Sequence, residues 1–244
     1  MRDIVGTVGT ATATFTVDVV AATIHKDGMP IALGVRERPV VMALALHGPL
    51  SRQRLCDLIH ADTEDGGSPE SVKVYVHRVR RRTAPCFIVS RDGAYELGKS
   101  VHVSRATFRE GARAEDLSPL TAANVEALRL RARKLRAPIP TPMVEYDWFA
   151  SVALAQQRSG RQLALNLARE CMNRRSYFDA IQIATELTFE DPCDEDAWEA
   201  VIRCQVLLGQ RSAAAHSYRF LTASLQKDLG VRPSFDGFQL ISAR

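Results

Sequence analysis

A short basic stretch of this 244-residue chain carries side chains that could bind nucleic acid. Between residues 66 and 91 the chain has six Lys or Arg residues and one acidic residue, Glu70. Arg78 and Arg81 can donate paired hydrogen bonds to guanine O6 and N7 or to phosphate, and Val74 can contact a thymine methyl group. At about 100° per residue these side chains share one face of a helix, opposite a stripe of three valines that must face a core. The pattern predicts contacts in the major groove of double-stranded DNA.

Six further residues are predicted to support these contacts. Three share the helix, two lie in the first turn of the preceding helix, where a helix N-terminus favours phosphate, and one lies at a hairpin turn. An Arg-rich helix face is often merely solvated, and His77 is more simply explained as an exposed surface histidine. The two first-turn arginines are, taken singly, equally well explained as surface residues. The predicted DNA-binding set is Arg52, Arg54, Lys73, Val74, His77, Arg78, Arg81, Arg82 and Arg91.

The residue patterns that catalysis or metal binding would require do not occur in the sequence. The six histidines show no His-x-x-x-His spacing, and the five cysteines never form Cys-x-x-Cys. Gly66-Gly67 lacks the strand and helix that flank a phosphate-binding loop. We therefore expect no enzymatic activity, no cofactor, no metal ion and no disulfide framework.

The elements around the basic helix follow the order of a winged helix. Ser51 and Ser68 are good N-caps, Pro69 suits a first helical turn, and Pro85 sets the latest end of the basic helix. Asp92-Gly93 is a turn signal between two short β-branched or aromatic runs. We predict strands at 13–24 and 30–34, helices beginning near 39, 51 and 68, and a β-hairpin at 87–97. In this arrangement the third helix enters the major groove.

The second half of the chain contains an internal repeat of 34 residues. A shift by 34 aligns Ala180 with Ala214 and Leu187 with Leu221, which is the tetratricopeptide period. A partial unit is expected around 146–158, with its aromatic residues in the core of the repeat. The acidic cluster at 190–196 is expected to cap a helix. The predicted domains are a winged helix at 1–110, a helix and Pro-rich linker at 111–142, and an all-α tetratricopeptide-like domain at 143–244.

Charge is distributed unevenly between these halves. Up to Ala137 there are 21 basic and 15 acidic residues, and after it 11 and 13, so the net charge of +4 combines a basic half with a slightly acidic one. The longest apolar run, Val40–Leu46, is far shorter than the roughly 18 residues of a membrane helix. The expectation is a cytoplasmic protein with no membrane partner.

Several segments resemble known regulators. "LSRQRLCDLI", "SVKVYVHRVRRR" and "FIVSRDGAYEL" resemble the second helix, recognition helix and wing of OmpR-type winged-helix domains, and "VHVSRATFRE" also matches. The region from "SYFDAIQIATEL" to "KDLGVRPS" resembles the bacterial transcriptional activator domain. The pair is similar to the antibiotic regulatory protein (SARP) type of activator.

The resemblance implies an activator that binds direct repeats near a promoter and recruits RNA polymerase, with the loop Asp62–Ser68 and the repeat domain as contact surfaces. A homodimer on DNA is left open. The residues also allow a different function, a protein-interaction adaptor whose winged helix has lost DNA binding. Steep loss of DNA affinity with salt would distinguish the regulator from the adaptor.

Overall fold

The computed structural model describes residues 13–60, 67–104, 121–138, 140 and 143–242. The chain divides into two compact units. The first consists of Met1–Thr107 with Pro138–Leu154, and the second of Phe108–Ala137 with Ala155–Arg244. The predicted fold class is confirmed: a winged helix-turn-helix with α+β structure is followed by an all-α helical-repeat region.

The first unit begins with a four-stranded sheet in the order β3-β2-β1-β7. Its strands are β1 (Phe15–Asp18), β2 (Thr23–Lys26), β3 (Met29–Pro30) and β7 (Val101–Ser104). β1 pairs antiparallel with β2 and parallel with β7. The strand predicted over 13–24 is interrupted because the Asp18 carboxylate accepts hydrogen bonds from the backbone N–H groups of Val20 and Ala21, which turns the chain.

Three helices follow, and the second and third start with the predicted serine caps. They are α1 (Glu37–His47), α2 (Arg52–Ile59) and α3 (Pro69–Arg82). Ser51 Oγ accepts from the backbone N–H of Arg54, and Ser68 Oγ accepts from that of Glu70, each at 3.2 Å. Each cap satisfies an N–H group that the first helical turn leaves without a partner. These contacts fix where α2 and α3 begin.

The predicted hairpin is present as a small sheet that forms the wing. Its strands are β4 (Leu50–Ser51), β5 (Ile88–Arg91) and β6 (Ala94–Leu97), in the order β4-β6-β5. Asp92 and Gly93 have φ of 49° and 79° and connect β5 to β6. Two consecutive residues with positive φ give a tight turn that matches the twist of a hairpin. The β5–β6 hairpin of the wing therefore follows α3 after a short connection.

Residues 143–154 contribute to the core of the first unit. Met143, Tyr146 and Phe149 are buried there, next to the three-helix core. Trp148 Nε1 donates to the backbone oxygen of Leu58 at 2.9 Å, near the end of α2. The aromatic side chains expected to pack within the repeat thus pack against the winged helix, where Trp148 satisfies a helix-terminal carbonyl.

Helices are the only regular secondary structure among the described residues of the second unit. Its helices are α4 (Ala122–Leu135), the part of α5 (Asp147–Asn173) from residue 155, α6 (Tyr177–Glu190), α7 (Glu195–Leu207), α8 (Arg211–Asp228) and α9 (Gly237–Ser242). α6 and α8 begin 34 residues apart, as the repeat predicts. Ala180 and Ala214 are fully buried, which allows close packing of consecutive helices. No helix among the described residues is long and apolar enough to cross a membrane.

The acidic cluster at 190–196 caps α7, as predicted. Asp194 Oδ1 accepts from the backbone N–H of Ala197 at 3.0 Å, and its side chain is 3% exposed. Arg161 on α5 donates to both Asp194 carboxylate oxygens, at 2.6 and 2.7 Å, and to Asp196 at 2.8 Å. One carboxylate therefore both starts α7 and anchors it to α5.

Candidate nucleic-acid interface

The two faces of α3 divide as the sequence predicts. Val72, Val76 and Val79 are each at most 1% exposed and pack into the core of the first unit. Lys73, His77, Arg78 and Arg81 are exposed on the other face, and the side chain of Val74 is 47% exposed. A half-exposed valine on a cationic surface is available to contact an apolar ligand group such as a base methyl. We call this exposed face, comprising Lys73, Val74, His77, Arg78 and Arg81, the basic face.

Arg78 and Arg81 are the uncompensated cations of the basic face. Neither guanidinium has a hydrogen-bond or ion-pair partner among the described residues. Together with Arg82 and Glu37 they line a cleft of about 440 Å³ at the C-terminal end of α3. Each guanidinium keeps all its donors for a partner outside the protein, and its planar geometry suits guanine edges and phosphate.

Arg82 belongs to a different environment, because it already neutralises a buried carboxylate. Its Nε lies 3.1 Å from Glu37 Oε2, and its Nη1 donates to the Ala32 backbone oxygen at 3.0 Å. The Glu37 side chain is 5% exposed and also accepts from the Gly34 backbone N–H at 2.8 Å. Arg82 thus fixes the end of α3 to the segment that leads into α1.

Arg80 has a structural role that the sequence reasoning did not identify. Its Nε donates to the Ile88 backbone oxygen at 2.8 Å and its Nη2 to Ser90 Oγ at 3.1 Å. These bonds attach α3 to β5 of the wing. On a helical projection Arg80 lies about 40° from Val76, beside the buried stripe, and that position was the signal available in the sequence.

Two of the predicted DNA-binding cations are held together by a carboxylate. Arg52 Nη1 lies 3.1 Å from Glu70 Oε1, and Lys73 Nζ lies 2.6 Å from Glu70 Oε2. The hydrogen bond from Lys73, with the charges of Lys73 and Arg52, lowers the pKa of Glu70 below its usual value. Glu70 is exposed, so this carboxylate occupies the place that a phosphate oxygen could take.

The remaining predicted residues lie on α2 and on the wing. Arg54, in the first turn of α2, and Arg91, at the end of β5, are exposed, and neither side chain has a partner within the described ranges. His77 is likewise exposed on α3. Of the predicted contact loop Asp62–Ser68, residues 62–66 lie outside the described part of the chain.

His60 closes α2 beneath the start of α3. Its Nε2 lies 3.2 Å from Ser71 Oγ, and its ring is close to Tyr75, with centroids 6.1 Å apart. Burial, aided by the positive charge of Arg36, lowers the pKa of His60 below its usual value. The ring leaves no room for a side chain at residue 67, where a Cβ would lie 2.0 Å from His60 Cδ2. A side chain at residue 67 would therefore require the His60 ring to move.

The described residues bring together no group of three or more His, Cys, Asp or Glu side chains suited to a metal ion. The five cysteines are unpaired, and Cys56, Cys171 and Cys204 are buried. Burial raises the pKa of the Cys171 and Cys204 thiols to about 11, so both remain protonated near neutral pH.

Comparison with known proteins identifies the family. The model of the bacterial transcriptional activator domain matches residues 105–242. The chain belongs to this family. With a winged helix before that domain, it has the architecture of a SARP-type transcriptional regulator, a class of regulators and not of enzymes.

Among solved structures, the chain is similar to Mycobacterium tuberculosis EmbR in complex with a low-affinity phosphopeptide. The TM-score is 0.64 at 18% sequence identity, and the match covers 94% of this chain. The chain spans 64% of the EmbR chain, and at this identity the likeness shows the fold alone. No curated protein matches the sequence.

Proposed function

We propose that this SARP-type regulator binds double-stranded DNA sequence-specifically and activates transcription from promoters that carry direct repeats. The observation that carries the proposal is the pair of uncompensated arginines, Arg78 and Arg81, on the exposed side of the third helix of a winged helix. Exposed cations without acidic partners favour binding a polyanion. Their position on the third helix is the one that reads bases in this class of fold.

Each residue of the interface has a role in the proposal. Arg78 and Arg81 contact guanine edges or phosphates, and Val74 contacts a thymine methyl group. His77 lies on the same exposed face of α3 and contacts the groove edge. Arg54 and Arg91 contact the DNA backbone on either side of the groove and set the register of α3.

Arg52 and Lys73 bind phosphate by exchanging partners. In the free protein both contact Glu70. A phosphate of the DNA backbone also presents negatively charged oxygens, so it can replace the Glu70 carboxylate as their partner. Arg82 contributes by holding the end of α3 against Glu37 and not by contacting bases. The exchange makes Glu70 a competitor of DNA within the protein itself.

The family and its architecture support the partners in the proposal. The matched domain is a transcriptional activator domain, and this supports recruitment of RNA polymerase through the helical repeats. Two copies would lie side by side on direct repeats as a homodimer on DNA, in the cytoplasm where the chromosome lies. The alternative, an interaction adaptor with a degenerate winged helix, gains support from the pairing of Arg52, Lys73 and Arg82 within the unit, which reduces the charge available to DNA.

The proposal is tested by selecting duplexes from a random library with the purified full chain. We expect enrichment of a short motif that occurs in two direct copies, spaced by about one helical turn of 10–11 base pairs. The same selection with the Arg78→Ala, Arg81→Ala double variant is the control and is expected to lose the motif. A library that remains random after repeated rounds with the wild-type chain contradicts the proposal and favours the adaptor.

A further inference from the structure

The second unit contains an open pocket that the DNA-binding proposal does not use. It has a volume of about 690 Å³ and lies between α8 and the segment 232–238 that leads into α9. Small-molecule sites in proteins commonly have volumes of about 300–1,000 Å³ and mostly apolar linings with a few polar groups. We call it the C-terminal pocket.

An aromatic cluster forms the wall of the C-terminal pocket. The Tyr218 ring lies 5.7 Å from the Phe235 ring and 5.2 Å, edge to face, from the Phe238 ring. Tyr218 Oη donates to the Phe235 backbone oxygen at 3.2 Å. A Cβ at Gly237 would lie 2.2 Å from Tyr218 Cδ2, so the backbone there packs directly on the ring. The wall is therefore held in place before any ligand arrives.

The charged groups of the C-terminal pocket differ in whether they have hydrogen-bond partners. Asp236 Oδ1 accepts from the backbone N–H groups of Phe238 and Gln239, at 2.9 and 3.1 Å, and so caps α9. Arg219 and Arg232 also line the pocket, and neither guanidinium has an ion-pair or hydrogen-bond partner among the residues that the structure describes. Two arginines and one aspartate give the lining a net charge of +1, with both cations free to act.

We propose that the C-terminal pocket binds a small organic acid with an aromatic or aliphatic body. The body packs against Tyr218, Phe235 and Phe238, and the carboxylate accepts hydrogen bonds from Arg219 and Arg232. Arginine presents a planar set of donors that matches both oxygens of a carboxylate, and such pairs are stronger than neutral hydrogen bonds. A neutral ligand of the same shape would form only neutral hydrogen bonds with the two guanidinium groups, and such bonds are weaker than charge-assisted ones.

The test is calorimetric titration of the full chain with three acids, phenylacetate, 2-naphthylacetate and octanoate, each compared with its own amide. We expect one-to-one binding of at least one acid, with its amide bound at least about tenfold more weakly because the charge-assisted bonds are lost. This comparison uses the wild-type chain and does not depend on any variant folding. If no acid binds, or if each amide binds as tightly as its acid, the proposal is overturned.

Variants locate the site. Arg219→Gln and Arg232→Gln alter exposed residues and are each expected to weaken binding of the acid by about tenfold. Lys227→Gln makes the same charge change on α8 outside the lining and is expected to leave binding unchanged. If Lys227→Gln weakens binding as much as the two arginine variants, the effect comes from net charge alone and the assignment is overturned. Tighter binding of a short acidic peptide than of every acid would also overturn it. No DNA is present in these titrations, so their outcome is separate from that of the DNA-binding proposal.

Discussion

Arg82 Nε lies 3.1 Å from Oε2 of the buried Glu37, whereas Arg81, one residue earlier, has no partner among the described residues. Adjacent positions on a helix differ by about 100°. Arg82 therefore lies beside the buried valine stripe, where it reaches the segment before α1, and Arg81 points away from the protein. Within one run of arginines, the angle from the stripe decides which side chains stabilise the fold and which remain available to a ligand.

The Arg82–Glu37 pair predicts a stability effect without a direct effect on base contact. Arg82→Ala leaves the Glu37 carboxylate buried and without its counter-ion, and we expect the free energy of unfolding to fall by about 1–3 kcal/mol, since the pair is half exposed on the arginine side. Urea unfolding measures the change. Arg81→Ala is the matched control and is expected to stay within about 0.5 kcal/mol of wild type. Equal urea midpoints for Arg82→Ala and wild type would contradict this role.

Loss of the Arg81 side chain is expected to weaken DNA binding and to leave stability unchanged. Arg81→Ala removes donors to a guanine edge or a phosphate, and we expect it to weaken binding to the selected duplex by about 1–3 kcal/mol, which is about 5- to 150-fold. Fluorescence anisotropy of a labelled duplex measures the dissociation constant. Its unfolding midpoint is expected to match wild type because the side chain is exposed and unpartnered within the described ranges. Unchanged affinity would remove Arg81 from the interface.

Removing the negative charge of Glu70 is expected to increase the affinity for DNA. Glu70→Gln frees Arg52 and Lys73 from an ionic partner and removes a carboxylate that repels phosphate. We expect tighter binding to the selected duplex and to an unrelated duplex alike, because phosphate contacts carry no sequence information. Glu126→Gln, an exposed change of the same kind on α4, is the control. Weaker binding by Glu70→Gln would show that the carboxylate orients the two cations for DNA.

His60 predicts that the first unit loses stability as the medium is acidified. Its pKa in the folded protein is lower than the usual 6.5, so the unfolded chain binds more protons. The contribution of His60 to the free energy of unfolding is therefore fully present above about pH 7. It falls as the pH drops through 6.5 and levels off below the lowered pKa of the folded state. Melting temperatures at several pH values for wild type and His60→Gln measure the effect, and the wild type should lose stability relative to the variant as the pH falls, because glutamine does not titrate. If the difference in melting temperature between the two proteins does not change with pH, the lowered pKa of His60 does not contribute to stability.

Asp194 is expected to stabilise the second unit. Asp194→Ala removes the N-cap of α7 and two hydrogen bonds from Arg161, and we expect a loss of about 2–3 kcal/mol in the free energy of unfolding. Asp196→Ala removes only the exposed contact with Arg161 and is expected to lose at most about 0.5 kcal/mol. Denaturant unfolding followed by circular dichroism compares the two. Similar losses in both variants would contradict the cap assignment.

Local signals in the sequence predict much of this structure. Serine caps at Ser51 and Ser68, the Asp92-Gly93 turn and the valine stripe of α3 each depend on residues close in sequence, and the structure confirms all of them. The 34-residue repeat is equally local, because each unit contains its own helix pair. Helix ends and faces follow from such short-range chemistry.

Long-range contacts could not be predicted in the same way. β1 pairs in parallel with β7, whose partner residues are 86 positions away, and no periodicity links the two strands. The contact of Trp148 with the end of α2 spans 90 residues. The ion pair of Arg82 also involves a distant carboxylate, Glu37, and no local signal in the sequence links the two residues.

We propose that the basic face of α3 binds DNA mainly through Arg78 and Arg81, its two cations that have no partner within the described part of the protein. It is tested most directly by measuring the affinity for the selected duplex at increasing salt, for wild type and for the Arg78→Ala, Arg81→Ala double variant. We expect the wild-type affinity to fall by roughly a thousandfold or more between about 50 and 200 mM salt, with the double variant binding more weakly and with a slope smaller by about two. Affinity that is independent of salt, or identical lines for the two proteins, would contradict the account.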